Sequence, residues 1–197
     1  MKYSTGLTKK AFWFLESKKT AEYILKGLNK EEIIEIAIEK NIYQVESEDR
    51  IKTIANTCIT RLNSLPKSLI ECTLKTDLYT SKILFLIAVM KTDKLFFEFM
   101  YEVFRNKIIL GDLTIGDKDL NIFFNEKMLQ SETVNNWKES NIKRLKKEYI
   151  RLLFDAGILE NNNDIKKIII PIIDFRVEEN LISNKLNIFL YILNGVK

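Results

Sequence analysis

The sequence predicts an all-α protein. Three observations carry that expectation. First, 6 Gly and 2 Pro in 197 residues are too few for the tight turns of a sandwich or barrel. Second, apolar residues recur at helical spacing, most cleanly at Ile51, Ile54, Ala55, Cys58 and Leu62. Third, the segments that carry this spacing open on capping residues and close on Gly or Asn. The one exception is Ile165–Ile173, short and rich in β-branched residues, which reads as a strand that Ile158 and Leu159 could pair with. The expected architecture is two small helical bundles, residues 1–76 and 77–197, with a possible short β-hairpin wing near 157–173.

In order along the chain, Thr8 can cap a first helix running to Lys26, with Gly27 as its stop. Asn29 caps a second, with Glu31 and Glu32 in the first turn where the helix dipole favours acids. Ser47 caps a third over 47–63. Pro66 suits the first turn of a fourth, to Lys75. Residues 77–91 and 94–110 are strongly apolar and aromatic on more than one face, as central core helices are; Asp93 caps the second and Gly111 ends it. A helix over 117–130 follows. Ser131 caps a short helix and Ser140 a longer one, to Ala156 and Gly157. Asn161-Asn162-Asn163-Asp164 is a turn, and two helices near 174–182 and 185–193 close the chain.

Composition narrows the chemistry. Histidine is absent, which removes Ser-His-Asp and Cys-His hydrolases, HExxH metalloproteases and every histidine general base. Cys58 and Cys72 are too few for a structural zinc site and read as buried thiols. No phosphate-binding glycine loop occurs. The expectation is a protein without enzymatic activity, metal, cofactor or small-molecule substrate. The longest apolar run, Ile83–Met90, is far short of the ~20 residues a spanning helix needs, and no signal sequence opens the chain. The protein therefore reads as cytoplasmic and free of the membrane.

Net charge is +4 with a pI near 8.9, and the basic excess gathers near the N-terminus, around 51–75 and in 135–160. Lysine is inflated by a composition heavy in Ile, Lys and Asn, so the scarce arginines are the more informative bases. Arg50, Arg61, Arg144 and Arg151 fall on just two expected helices. The first, paired with the helix before it, has the outline of a helix-turn-helix. Its expected outward face holds Arg50, Lys52, Thr53, Asn56, Thr57, Thr60 and Arg61, side chains that reach phosphates and base edges. The second lies in residues 131–173, whose order of short helix, long helix, turn and strand is that of a winged helix-turn-helix. Lys143, Lys147 and Arg151 make one ridge at a spacing of four, Arg144 and Lys146 flank it, and Lys166 and Lys167 would sit on the wing. For each face an ordinary solvated surface is the competing reading.

Longer landmarks add a resemblance. Tyr3-Ser4-Thr5-Gly6-Leu7-Thr8-Lys9-Lys10-Ala11-Phe12 with Glu16-Ser17, then Glu32-Ile33, Asn41 with Gln44, Ser47 with Arg50-Ile51, and Arg61-Leu62 resemble, in order, the A-protein family of bacteriophage-exclusion (BREX) systems, BrxA. Phe99 with Glu102-Val103, Gly111-Asp112, Trp137 with Ser140, and Ala156-Gly157-Ile158-Leu159 continue the match; Asn141 departs from it, where the family tends to Thr. The resemblance implies a mostly helical, non-enzymatic component of a bacterial phage-defence system with NusB-like bundles. It also implies duplex DNA and other BREX subunits as partners. The family was formerly labelled an inner-membrane protein, which the short apolar runs oppose. A protein–protein adaptor that contacts no DNA is the alternative.

Overall fold

In the computed structural model, which describes residues 2–162 and 165–195, helix α5 (Leu78–Thr92) is the centre of the molecule. Every residue from Ile83 to Met90 is buried, so the longest apolar run of the sequence is spent on a helix packed on all faces. Against it pack α4 (Lys67–Lys75), α6 (Lys94–Phe99), α10 (Glu139–Ala156) and the end of α3 (Glu48–Leu62), while α8 (Asp117–Gln130), followed by the short α9 (Glu132–Asn135), adds Leu120, Phe123 and Phe124 to the same core. Beyond α10 come the strands β1 (Leu159–Asn162) and β2 (Ile165–Ile168), then α11 (Phe175–Ser183) and α12 (Asn187–Asn194). The protein is mainly helical with one short hairpin.

Helices α1 (Phe14–Leu25), α2 (Lys30–Glu39) and α3 (Glu48–Leu62) enclose a second, smaller apolar cluster of Trp13, Ile33, Ala37, Tyr43, Ile51, Ile54, Cys58 and their neighbours. Helix α4 belongs to the larger core, through Leu69 and Ile70.

Of the six side-chain caps that the sequence suggests, Asn29, Ser47 and Asp93 form, while Thr8, Ser131 and Ser140 make no cap bond. Asn29 Oδ1 accepts from Glu32 N at 3.0 Å while Glu32 returns the bond to Asn29 N at 2.7 Å, a closed capping box. Asp93 Oδ1 accepts from Phe96 N at 2.9 Å. Gly157 ends α10 at φ 80°, and a Cβ there would lie 3.3 Å from the Tyr79 ring.

The first expected helix is broken. Gly6–Lys9 is a separate 3-10 turn, Thr8 Oγ1 donates to Thr5 O instead of capping, and Trp13 takes the left-handed conformation at φ 50° before α1 begins. The cause is packing: Phe12 belongs to the large core and Trp13 to the small one, and a continuing helix turns adjacent side chains only 100° apart. Ser140 does not cap α10. The helix starts at Glu139 behind an extended Lys138, so Ser140 lies inside the first turn.

The segment 94–110 contains a π turn, Met100–Phe104, before α7 (Arg105–Ile109). The hairpin is antiparallel, with Leu159 opposite Ile168. It gains a third strip that the sequence does not suggest: Thr114 bridges to Lys167, with Ile115 N donating to Lys166 O at 3.0 Å and Ile168 N to Leu113 O at 2.8 Å. The expected turn at 161–164 includes Asn163 and Asp164, which lie outside the described residues. Among the described residues no helix is long and apolar enough to cross a membrane.

Candidate nucleic-acid interface

The N-terminal strap, residues 2–13, brings the two basic helices together. Its 3-10 turn packs against α10, and the residues that follow lie along α3. The result is a cleft of about 410 Å³ whose walls are Arg50 and Thr53 of α3 and Arg144, Glu148 and Arg151 of α10. Its floor is Thr8, Lys9, Lys10 and Ala11. A second cleft, about 550 Å³, shares Ala11, Arg50 and Arg151 and extends the surface past Phe14 and Phe154 to Lys82. Two faces far apart in sequence thus line one continuous cationic surface.

Each cation is held differently. The Arg50 guanidinium stacks on the Trp13 ring at 5.0 Å, which pins a planar donor at the cleft edge without neutralising it. Lys82 and Lys18 approach the Phe14 ring at 5.8 and 5.9 Å. Arg144 and Lys147 are exposed and make no ion pair among the described residues. Arg151 lies 3.7 Å from Asp155, and both are solvated, so the pairing is weak. The acidic residues lining the two clefts are Glu16, Glu148 and Asp155, against Lys9, Lys10, Lys82, Arg50, Arg144 and Arg151.

Arg61 is a correction. It is expected on the outward face of α3, yet it stands seven residues after Ile54 and three after Cys58, on the buried stripe, and is 4% exposed. Its Nη1 donates to Ala11 O at 2.7 Å and to Phe12 O at 3.1 Å, so it holds the strap from beneath. Burial pulls its pKa down to about 10. Thr57 is buried as well, its hydroxyl bonded to Thr53 O at 2.8 Å.

The other sequence candidates separate. Asn56 is half-buried and donates to Lys52 O at 2.8 Å; Lys52 is exposed and 3.7 Å from Glu48. Lys143 is exposed on the outer ridge of α10 beside Lys147 and pairs with Glu139 at 2.8 Å. Lys146 turns inward to Asn121 Oδ1 at 2.7 Å and lies over the Phe124 ring. Lys166 and Lys167 are on the hairpin, with Lys166 4.0 Å from Asp117. None of these lines the cleft. The residues missed by motif reasoning are Lys9, Lys10 and Lys82. The Lys9-Lys10 pair and the N-terminal basic excess were visible signals, but nothing local tied them to a helix face.

Fold and cleft define a class: a small helical protein built around one helix buried from Ile83 to Met90, bearing a cationic cleft assembled from the N-terminal strap, α3 and α10. The chain belongs to the BrxA family, whose profile matches residues 1–185. A relative from Bacillus cereus (strain H3081.97), described as BREX protein BrxA, is 39% identical over 193 residues, covering 98% of this chain and 96% of that one. Membership makes the chain a BREX component with a role in anti-phage defence. A solved structure described as an uncharacterized protein from Magnetospirillum magneticum has the same fold, with a TM-score of 0.81 over 100% of both chains at 16% identity.

Proposed function

We propose that this protein is a non-enzymatic, DNA-binding accessory subunit of its defence system, gripping duplex DNA mainly by phosphates along the α3–α10 cleft. The observation that supports this most is the convergence of Arg50, Arg144 and Arg151, with Lys9 and Lys10, on one surface. Cations at such spacing neutralise successive phosphates and release counterions, giving affinity without base readout. Lys143 and Lys147, and further off Lys166 and Lys167, extend the positive field beyond the cleft. Bound this way, the protein would place its partner subunits on DNA.

The test is charge reversal in two places. Arg144→Glu with Arg151→Glu should weaken duplex binding strongly and lower the slope of log K against log salt by roughly one unit per lost phosphate contact. Lys143→Glu with Lys147→Glu, on the outer ridge, should weaken it less. Equal loss in both pairs, or none in the first, removes the cleft reading.

A second reading has its own observation. Leu110 and Leu129 are 78% and 89% exposed, and Leu110 and Ile122 flank a groove that also contains Glu126. An exposed apolar surface of this kind favours contact with partner subunits, which is the adaptor reading and is compatible with DNA in the cleft.

A further inference from the structure

Arg61 is buried without a direct ion pair among the described residues; Asp93 acts on it only at longer range. Its Nη1 is spent on the two strap carbonyls, and its Nη2 has no partner among the described residues. No carboxylate comes within ion-pair distance among the described residues. A buried guanidinium costs several kcal/mol when it is not compensated.

Arg61 also lines a cavity of about 90 Å³ beneath the strap. At roughly 10–15 Å³ per water by this measure, that is room for several waters or one tetrahedral oxyanion. Lys2 and Lys10 stand on its walls, with the hydroxyl residues Ser4 and Thr60. Lys10 folds back over Gly6, where an added Cβ would lie 3.8 Å from Lys10 Nζ and 3.0 Å from Ser4 Oγ. Asp93 is the acidic residue of the wall. Its Oδ1 already accepts from Phe96 N, and its charge is set against those of Arg61 and Lys10.

We propose that this cavity is a phosphate-binding pocket in which Arg61, Lys2 and Lys10 hold a single phosphate group, either free inorganic phosphate or the terminal phosphate monoester of a DNA end. Lys10 lines both the pocket and the cationic cleft, so a duplex end lying in the cleft could deliver its terminal phosphate there. That second source rests on the DNA-binding reading above; the first does not.

The test uses the full chain and two probes. Phosphorus-31 line broadening of inorganic phosphate should saturate at one equivalent per chain. Lys2→Glu with Lys10→Glu should weaken that binding at least roughly tenfold, as expected when two charge-assisted contacts are reversed. Both lysines are exposed and free of ion pairs among the described residues, so this variant should keep its fold. Arg61→Lys, which keeps the charge but loses the fork, should also weaken phosphate. The second probe is a duplex with 5′-phosphate against the same duplex with 5′-hydroxyl ends. Tighter binding of the phosphorylated duplex, lost in the lysine variant, identifies the DNA end as a ligand; equal binding with saturable inorganic phosphate identifies the free anion. Broadening that never saturates, or that is the same in the lysine variant, overturns the proposal even where duplex binding through the cleft is intact.

Discussion

Replacing Lys127 by Met should unfold the protein more easily through a specific route. The ammonium is 3% exposed and sits between two carboxylates, Glu98 at 2.9 Å and Glu102 at 2.6 Å. Glu98 also accepts from the Tyr3 hydroxyl at 2.9 Å, so the same network ties down the start of the strap that floors the cleft. Removing one member of a buried pair typically costs about 3–5 kcal/mol because the other charge is stranded. Glu102 is 38% exposed and can rehydrate, which puts the expected loss near the lower end, about 3 kcal/mol. For a chain of this size that lowers Tm by roughly 6–12 °C.

The pH dependence has a definite sign. Burial alone would lower the Lys127 pKa, but its hydrogen bonds to Glu102 and Glu98 outweigh that and raise it. A raised folded-state pKa means the contribution is complete below the ordinary lysine value and is lost as pH rises through the folded one. Thermal unfolding of wild type and Lys127→Met should therefore differ most at neutral pH and converge in strong alkali. A Tm change under roughly 2 °C at neutral pH would refute the reasoning.

Two further predictions concern single groups. Tyr149 is wholly buried among Phe96, Phe99 and Phe124 with no partner for its hydroxyl among the described residues, so Tyr149→Phe should stabilise by about 1 kcal/mol in urea unfolding; a loss would mean the hydroxyl is satisfied. The Asp174 carboxylate caps α11 and grips Arg176, which holds its pKa down at about 2 rather than the usual 3.8; stability from it is present above 3.8 and lost as pH falls through 2, so Asp174→Asn should flatten that part of the acid-unfolding curve.

Most helices were legible in the sequence because their signals are local. Asn29, Ser47 and Asp93 each cap the helix that follows them, and Gly111 and Gly157 follow helix ends at positive φ. What was not legible depends on distant partners. The break at Trp13 serves two separate cores, and nothing in 8–26 reveals that adjacent aromatics must part company. Arg61 shares the helical spacing of buried Ile54 and Cys58, but its charge argues for solvent, and the carbonyls that accept from it are 50 and 49 positions away. In the sequence the cleft is two unrelated faces, because the strap that joins α3 to α10 has no helical pattern of its own. Within α10 the spacing of four emphasised Lys143, Lys147 and Arg151, whereas the strap packs where Arg144, Glu148 and Arg151 line its edge.

The central claim is that the α3–α10 cleft binds duplex DNA by its phosphates. The most direct measurement is the equilibrium affinity for one duplex of arbitrary sequence across a salt series, for wild type and for Arg144→Glu with Arg151→Glu. Wild type should show a linear, steep fall of log K with log salt and indifference to duplex sequence, and the variant a slope shallower by about two units. Affinity that ignores salt, follows one defined sequence, or is unchanged in the variant would contradict it.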